Sequence, residues 1–177
     1  IPGNKAFFFP SYAFRDEIYK YIEHMNILLE KSVMNAEDKK KLLENFKSHK
    51  NSGAALFAVA AANFSEGIDL PGDYLNAVIV IGLPLSKPDV KTKALINYYQ
   101  DRFGRGWDYG YIYPAITKCL QAAGRCIRSE EDRGAVIFID KRFIWPRYFQ
   151  CLPPDWDWIV ARNYEDKINS FFGKPLP

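Results

Sequence analysis

Ala54-Ala55-Leu56-Phe57-Ala58-Val59-Ala60-Ala61-Ala62 is the longest unbroken apolar run in the chain. It falls short of the ~18 residues that mark a membrane-spanning candidate and suits a strand covered on both faces. Asn51-Ser52-Gly53 breaks the chain before it, and a polar loop, Asn63 to Gly72, follows. Strand and helix signals alternate on either side of this run. Lys5 to Phe9 reads as an aromatic strand stopped by Pro10, and Asn26 to Glu30 as a short second strand. The apolar run is the third, central strand, Ala77 to Gly82 (Ala-Val-Ile-Val-Ile-Gly) the fourth, and Ala135 to Asp140 the fifth. Alternation of this kind predicts an α/β domain with a mainly parallel sheet of about five or more strands and helices on both faces.

Helix signals fill the intervals. Ser11 is placed to cap a helix through about Met25, with Phe14, Ile18, Tyr21 or Ile22, and Met25 on its inward stripe. Asn35 and Asp38 start a helix from Ala36 to His49 that turns Leu42, Leu43 and Phe46 inward. Lys91 to Phe103 is a further helix, followed by a glycine-rich turn through Gly104, Gly106 and Gly110. Pro114 suits the first turn of a helix running to about Arg128. A short helix near Trp145 to Cys151, a Pro153-Pro154 break and an amphipathic piece through Phe172 close the chain. There are no internal repeats and no low-complexity segment.

The chain has 177 residues, 48% of them apolar, and a formal charge of +3. That is one domain's worth of core, and the mild charge neither requires nor excludes nucleic acid as a partner. Ile1-Pro2-Gly3-Asn4 lacks the charged-then-apolar pattern of a secretion signal and begins without Met, as expected of a piece of something longer. Cys119, Cys126 and Cys151 have no framework spacing and read as free intracellular thiols.

Ligands of open parallel sheets gather at the carboxyl ends of the strands. Pro10-Ser11-Tyr12, Asn63 to Gly72 and Lys141-Arg142-Phe143 are expected there, with the helix bearing Arg125 beside them. On that helix Gln121, Arg125 and Arg128 are spaced four and three apart and so share a face, and Gly124 would admit a close neighbour. Guanidinium is planar, permanently charged and binds phosphate oxygens in pairs, so an amide and two such forks suit a polyphosphate. The alternative is a solvated helix end bridged to Glu130, Glu131 and Asp132. The loop Phe64-Ser65-Glu66-Gly67-Ile68-Asp69-Leu70-Pro71-Gly72 can present the Ser65 hydroxyl to a strand phosphate while Glu66 and Asp69 face a nucleotide; an ordinary turn would look the same. Ser11 offers an anion site or a plain helix cap. Lys141 and Arg142 offer phosphate contacts or a charged turn. Tyr98, Tyr99, Phe103, Trp107, Tyr109, Tyr111 and Tyr113, with Arg102 and Arg105 among them, suit stacking on bases or a core under a long insertion.

The four segments in this order resemble the second motor domain of superfamily 2 helicases, and most closely the XPD family of iron–sulfur DNA helicases. Phe-Phe-Pro-Ser-Tyr resembles that family's motif IV. Ser65 to Asp69 (Ser-Glu-Gly-Ile-Asp) resembles motif V, and Gln121 to Arg128 (Gln-Ala-Ala-Gly-Arg-Cys-Ile-Arg) motif VI. Gly134 to Phe143 resembles the strand that follows. The resemblance spans roughly Lys5 to Ile159 and implies a RecA-like motor domain over 1–159, with a helical tail, 160–177, belonging to it. It implies that Arg125 and Arg128, with Gln121, reach the terminal phosphates of ATP held with Mg²⁺ by the other motor half. Glu66, Gly67, Asp69 and Gly124 would line the nucleotide. Ser11, Tyr12, Ser65 and Arg142 would touch single-stranded DNA, along which such proteins move 5′ to 3′. Ala62 and Asn63 stand where the family often has glycine and a basic residue, and Thr117 where it often has a second basic residue beside Lys118.

No G-x-x-x-x-G-K-[ST] phosphate loop and no Asp-Glu-Ala-His box occur in the chain. No metal-ligand spacing occurs, and His24 and His49, expected at helix ends, take no role. The resemblance places the phosphate loop and a 4Fe–4S cluster in the first motor half, so the partners it implies are that half and single-stranded DNA, with no membrane. The compartment implied is intracellular: cytoplasm in a prokaryote or archaeon, nucleus in a eukaryote. Two other readings remain open: a DinG-like helicase motor, and a module of the same fold that only docks a partner.

Overall fold

The computed structural model describes residues 1–60, 62, 64, 74–85, 87–127 and 132–173. Five strands, β1 (Lys5–Phe9), β2 (Ile27–Leu29), β3 (Ala55–Val59), β4 (Ala77–Ile81) and β5 (Ala135–Ile139), form one sheet in the order β2-β3-β1-β4-β5. Every pairing is parallel, with Lys5 opposite both Ala55 and Ala77, Ile27 opposite Ala55, and Ala77 opposite Ala135. The centre of the sheet is β1, not the long apolar run. That run supplies β3, whose five residues are all buried between β2 and β1.

Alternation along the strands assigns two faces. Ala6, Phe8, Leu56, Ala58, Val78 and Val80 join Phe46 of α2 (Ala36–Ser48) and Ile116, Cys119 and Ala122 of α4 (Tyr113–Ala123) in the main core. Phe9, Ala55 and Phe57 form a smaller cluster with Ile18 and Ile22 at α1 (Tyr12–Tyr19). Helices therefore cover both faces of a RecA-like α/β sheet. Local chemistry explains several boundaries. Asn35 and Asp38 exchange the two hydrogen bonds of a capping box at the start of α2. Asp89 caps α3 (Val90–Phe103), and Gly104 ends it in the left-handed region.

Two helices are shorter than their patterns predict. α1 stops at Tyr19 instead of Met25, its end tightened by Tyr21 N–H to Ile18 O and Ile22 N–H to Tyr19 O. The chain must turn back in time to align Ile27 with Ala55, and His24 makes that turn at φ 62° rather than sitting on a helix end. Phe14, Tyr21 and Met25 are consequently exposed, and the inward position on α1 is taken by Arg15. α4 stops at Ala123, not Arg128. Arg125 N–H and Cys126 N–H close short turns onto Ala122 O and Ala123 O, because the chain must turn to reach β5. Between α3 and α4 the expected glycine turn is a π turn (Asp108–Ile112). Gly106 and Gly110 pack so tightly on α3 that a Cβ would meet Ile96 O at 2.2 Å and Ile96 Cα at 2.9 Å, respectively. The chain ends with a 3₁₀ turn (Lys141–Ile144), α5 (Pro146–Phe149) and α6 (Tyr164–Gly173). No helix among the described residues is long and apolar enough to cross a membrane.

Candidate nucleic-acid and nucleotide interface

The carboxyl ends of β1, β4 and β5 meet at one corner. Pro10 ends β1, and Gly82 ends β4 with φ 75°, a left-handed conformation that favours glycine. A Cβ at Gly82 would lie 3.4 Å from the Pro10 ring and 4.0 Å from an Asp140 carboxylate oxygen. Next to Pro10, the exposed Ser11 caps α1, its Oγ accepting from Phe14 N–H at 3.2 Å. That bond uses an acceptor lone pair and leaves the hydroxyl proton to donate. Tyr12 is half-buried, with the Arg15 guanidinium 4.9 Å from its ring centre and its hydroxyl 3.5 Å from Lys31 O.

Two strands away, Asp140 leaves β5 and caps the 3₁₀ turn through Arg142 N–H at 2.8 Å. The same carboxylate accepts from Arg142 Nε at 3.0 Å and from Nη2 at 2.6 Å. This fork-to-carboxylate pairing fixes the guanidinium while leaving its side chain 32% exposed. The hydrogen bonds from Arg142 hold the Asp140 carboxyl below its ordinary range, against the opposing effect of burial. Asp140 in turn raises the Arg142 pKa.

Arg125 does not join this corner. A crossover helix between parallel strands runs from the carboxyl edge back to the amino edge, so the end of α4 lies at the start of the next strand. The Cys126 thiol sits 3.9 Å from Leu75 O and 3.7 Å from Ala135 O, at the amino ends of β4 and β5, and half-buried Arg125 precedes it. The expectation that all four segments converge on the carboxyl edge is therefore corrected: α4 begins there and carries Arg125 to the opposite edge. Gln121 is exposed in the last turn of α4, and Arg125 lies beyond the helix, so they do not share a helical face. Gly124 needs no unusual conformation (φ −63°), and a Cβ there would meet Leu120 O at an acceptable 3.4 Å. Ser65, Glu66, Gly67, Asp69 and Arg128 lie outside the described residues.

Two buried carboxylates, Glu30 and Asp108, carry little pattern in the sequence. Glu30, at the end of β2, is fully buried and accepts from Val59 N–H at 2.7 Å and Phe64 N–H at 3.2 Å. Its backbone carbonyl accepts from Arg15 Nη1. The chain leaving β3 toward Ser65 is thereby tied to β2 and α1. The one available signal was an acid closing the apolar run Ile27-Leu28-Leu29. Asp108, in the π turn, accepts from Arg105 Nε at 2.8 Å and Arg147 Nε at 2.6 Å. Burial pushes its carboxyl up, but the hydrogen bonds from Arg105 and Arg147 outweigh that and hold it below the ordinary value. Around it the aromatic cluster is a surface feature, not a core: Tyr98, Phe103, Trp107 and Tyr109 are all exposed. Tyr109 sits between Tyr99 and Tyr113 at centroid distances of 5.5 and 5.2 Å.

Burial pushes the Cys119 thiol up to about 12 and Cys126 up to about 11. Among the described residues no three His, Cys, Asp or Glu side chains gather as a metal site.

The helicase C-terminal domain family model matches residues 1–157. The helicase subunit XPD of general transcription and DNA repair factor IIH from Dictyostelium discoideum is 30% identical over 154 residues, covering 81% of this chain and 20% of that protein. The ATP-dependent DNA helicase DinG from Photobacterium profundum is 32% identical over 121 residues, covering 68% of this chain and 18% of that protein. A solved XPD helicase structure superposes with TM-score 0.66 at 26% identity, over 84% of this chain and 27% of its own. The chain thus spans about a fifth of the length of the curated relatives it matches.

Proposed function

The chain belongs to the helicase C-terminal domain family and is of the XPD type within superfamily 2. We propose that it is the second motor domain of an ATP-dependent 5′–3′ DNA helicase that works in DNA repair inside the cell. The match across residues 1–157 carries this reading. Residues 1–159 are the motor domain and 160–177 its tail. The first motor half, with the phosphate loop, Mg²⁺ and a 4Fe–4S cluster, lies outside these 177 residues.

In this reading the two edges of the sheet divide the work. At the amino edge Arg125 approaches the terminal phosphates of ATP bound by the first half, with Gln121 and Gly124 beside it, and Arg128 serves the same phosphates. Guanidinium supplied across a cleft stabilises charge that builds on the transferring phosphoryl group, an effect on the order of 10³–10⁵ in rate. Glu66, Gly67 and Asp69 line the same nucleotide. At the carboxyl edge the Ser11 hydroxyl, Tyr12 and the Arg142 fork contact the backbone of single-stranded DNA, and Ser65 serves the same strand. Asp140 fixes the Arg142 guanidinium in advance, which lowers the ordering cost of gripping a phosphate.

The test is ATP turnover by the complete protein with and without single-stranded DNA. Turnover should rise with DNA, fall on the order of 10³-fold or more in Arg125→Ala, and be missing from the isolated 177-residue chain. Rapid hydrolysis by that chain alone, or full DNA-stimulated turnover in Arg125→Ala, would rule the reading out.

A further inference from the structure

Asp108 is 7% exposed and holds two arginines, one three residues before it and one from a distant part of the chain. Arg105 precedes the π turn, and Arg147 belongs to α5, 39 residues away from the carboxylate. Both donate through Nε, the nitrogen nearest the stem. Arg105 spends Nη2 on the Tyr113 hydroxyl at 3.0 Å. The two terminal nitrogens of Arg147 make no hydrogen bond among the described residues. The two side chains remain 47% and 54% exposed. One carboxylate beneath two guanidiniums leaves a net positive charge at the surface. A guanidinium anchored at Nε has its plane fixed; the outer edge of Arg147 is open to a bidentate anion, and Arg105 keeps Nη1 for a single contact.

The arrangement borders the Arg142 corner. α5 directly follows the 3₁₀ turn that carries Arg142 and packs against it. Arg147 thus follows Arg142 by five residues on an element packed against the same turn; two arginines are anchored on Asp108 and one on Asp140. We infer that Arg105 and Arg147 form a second phosphate-binding pair that extends the grip of Arg142 along a single strand of nucleic acid, with Asp108 as their positioning residue. This rests on the strand-binding role of Arg142 proposed above. A purely structural bridge has no use for the second cation, since half-exposed ion pairs contribute little stability.

The experiment uses the complete helicase and an oligo-dT probe, with affinity read by fluorescence anisotropy over a series of salt concentrations. Arg105→Gln and Arg147→Gln should each weaken binding several-fold. Each should also flatten the slope of log affinity against log salt by about 0.7, the value for one lost phosphate contact on a single strand. Asp108→Asn separates positioning from bulk charge. Removing a negative charge strengthens DNA binding if only the overall field matters, whereas loss of a positioning group weakens it; we expect weakening. Thermal midpoints are measured alongside. Unchanged affinity and slope in Arg147→Gln, or tighter binding by Asp108→Asn, overturns the inference. If Arg142→Gln flattens the slope while Arg105→Gln and Arg147→Gln do not, the inference fails and the strand-binding reading stands. If the unaltered protein does not bind the probe, both fall.

Discussion

Glu30 and Asp108 are the same chemical group put to opposite uses. Glu30 is sealed at the end of β2, and its oxygens are taken by the main-chain N–H groups of Val59 and Phe64. Asp108 lies nearly as deep, yet its oxygens are taken by side chains that run out into solvent. Backbone donors cannot leave without unfolding the sheet, so the first carboxylate is a clamp. Guanidinium donors sit on flexible stems, so the second carboxylate organises the surface without holding the fold together. Burial of an acid therefore does not reveal its role; the nature of its donors does.

The largest expected effect comes from breaking the clamp. Glu30→Ala leaves two buried N–H groups unsatisfied and opens a void, a loss of about 2–5 kcal/mol at about 1–3 kcal/mol for each stranded donor. Glu30→Gln keeps one acceptor and should lose about half of that. Urea unfolding midpoints measure both, and a Glu30→Ala protein as stable as the parent would show that the clamp is dispensable. Asp108→Ala should lose only a fraction of the Glu30→Ala effect, because its partners are half in solvent. The contrast sharpens with salt: raising ionic strength from about 0.1 to 1 M shortens screening from ~10 to ~3 Å. That should shrink the Asp108→Ala effect and leave the Glu30→Ala effect nearly unchanged.

Neither carboxylate was legible in the sequence, and the reason is distance along the chain. The partners of Glu30 lie 29 and 34 residues away, and Arg147 lies 39 residues from Asp108. Local signals fared better. The strands at Lys5, Ala77 and Ala135, the capping box at Asn35 and the proline start of α4 all lie within a few residues of the groups that determine them. The ends of α1 and α4 are not legible because neither is set by its own residues. Each helix stops where the next strand must begin, at Ile27 and Ala135, and that is a property of the sheet. The same limit puts Arg125 at the wrong edge, since periodicity shows which residues share a helical face but not where the helix ends. Ser11, Tyr12 and Arg142 were placed at the correct edge because each follows its strand within a few residues.

Acid should act on the arginine-held carboxylates by a smaller amount. Asp108 and Asp140 both titrate below the ordinary carboxylate value in the folded chain. A depressed folded pKa adds stability that is fully present above the unfolded value, near ~4, and is lost as pH falls through the folded value. Stability should therefore be flat in this respect from pH 7 to about 5 and decline below about 4. Asp108→Asn and Asp140→Asn should each remove part of that decline. A transition near pH 6 that vanished in either variant would mean the carboxyl is raised, contrary to the hydrogen bonds it accepts.

The smallest effect tests how tolerant the arginine side of the sheet is. Gly82 holds φ 75° beside Pro10 and Asp140, and alanine there would place its Cβ 3.4 Å from the proline ring. That distance is ordinary van der Waals contact, so the main cost is the left-handed backbone, about 1–2 kcal/mol for a non-glycine residue. If this corner is a platform rather than a clamp, Gly82→Ala should stop at that figure and leave the Asp140–Arg142 pair intact. The nearest Asp140 oxygen, at 4.0 Å, has room to stay where it is. A loss as large as that of Glu30→Ala would mean that the carboxyl ends of β1, β4 and β5 are as tightly sealed as the corner between β2 and β3, and the contrast between the two carboxylates would fail.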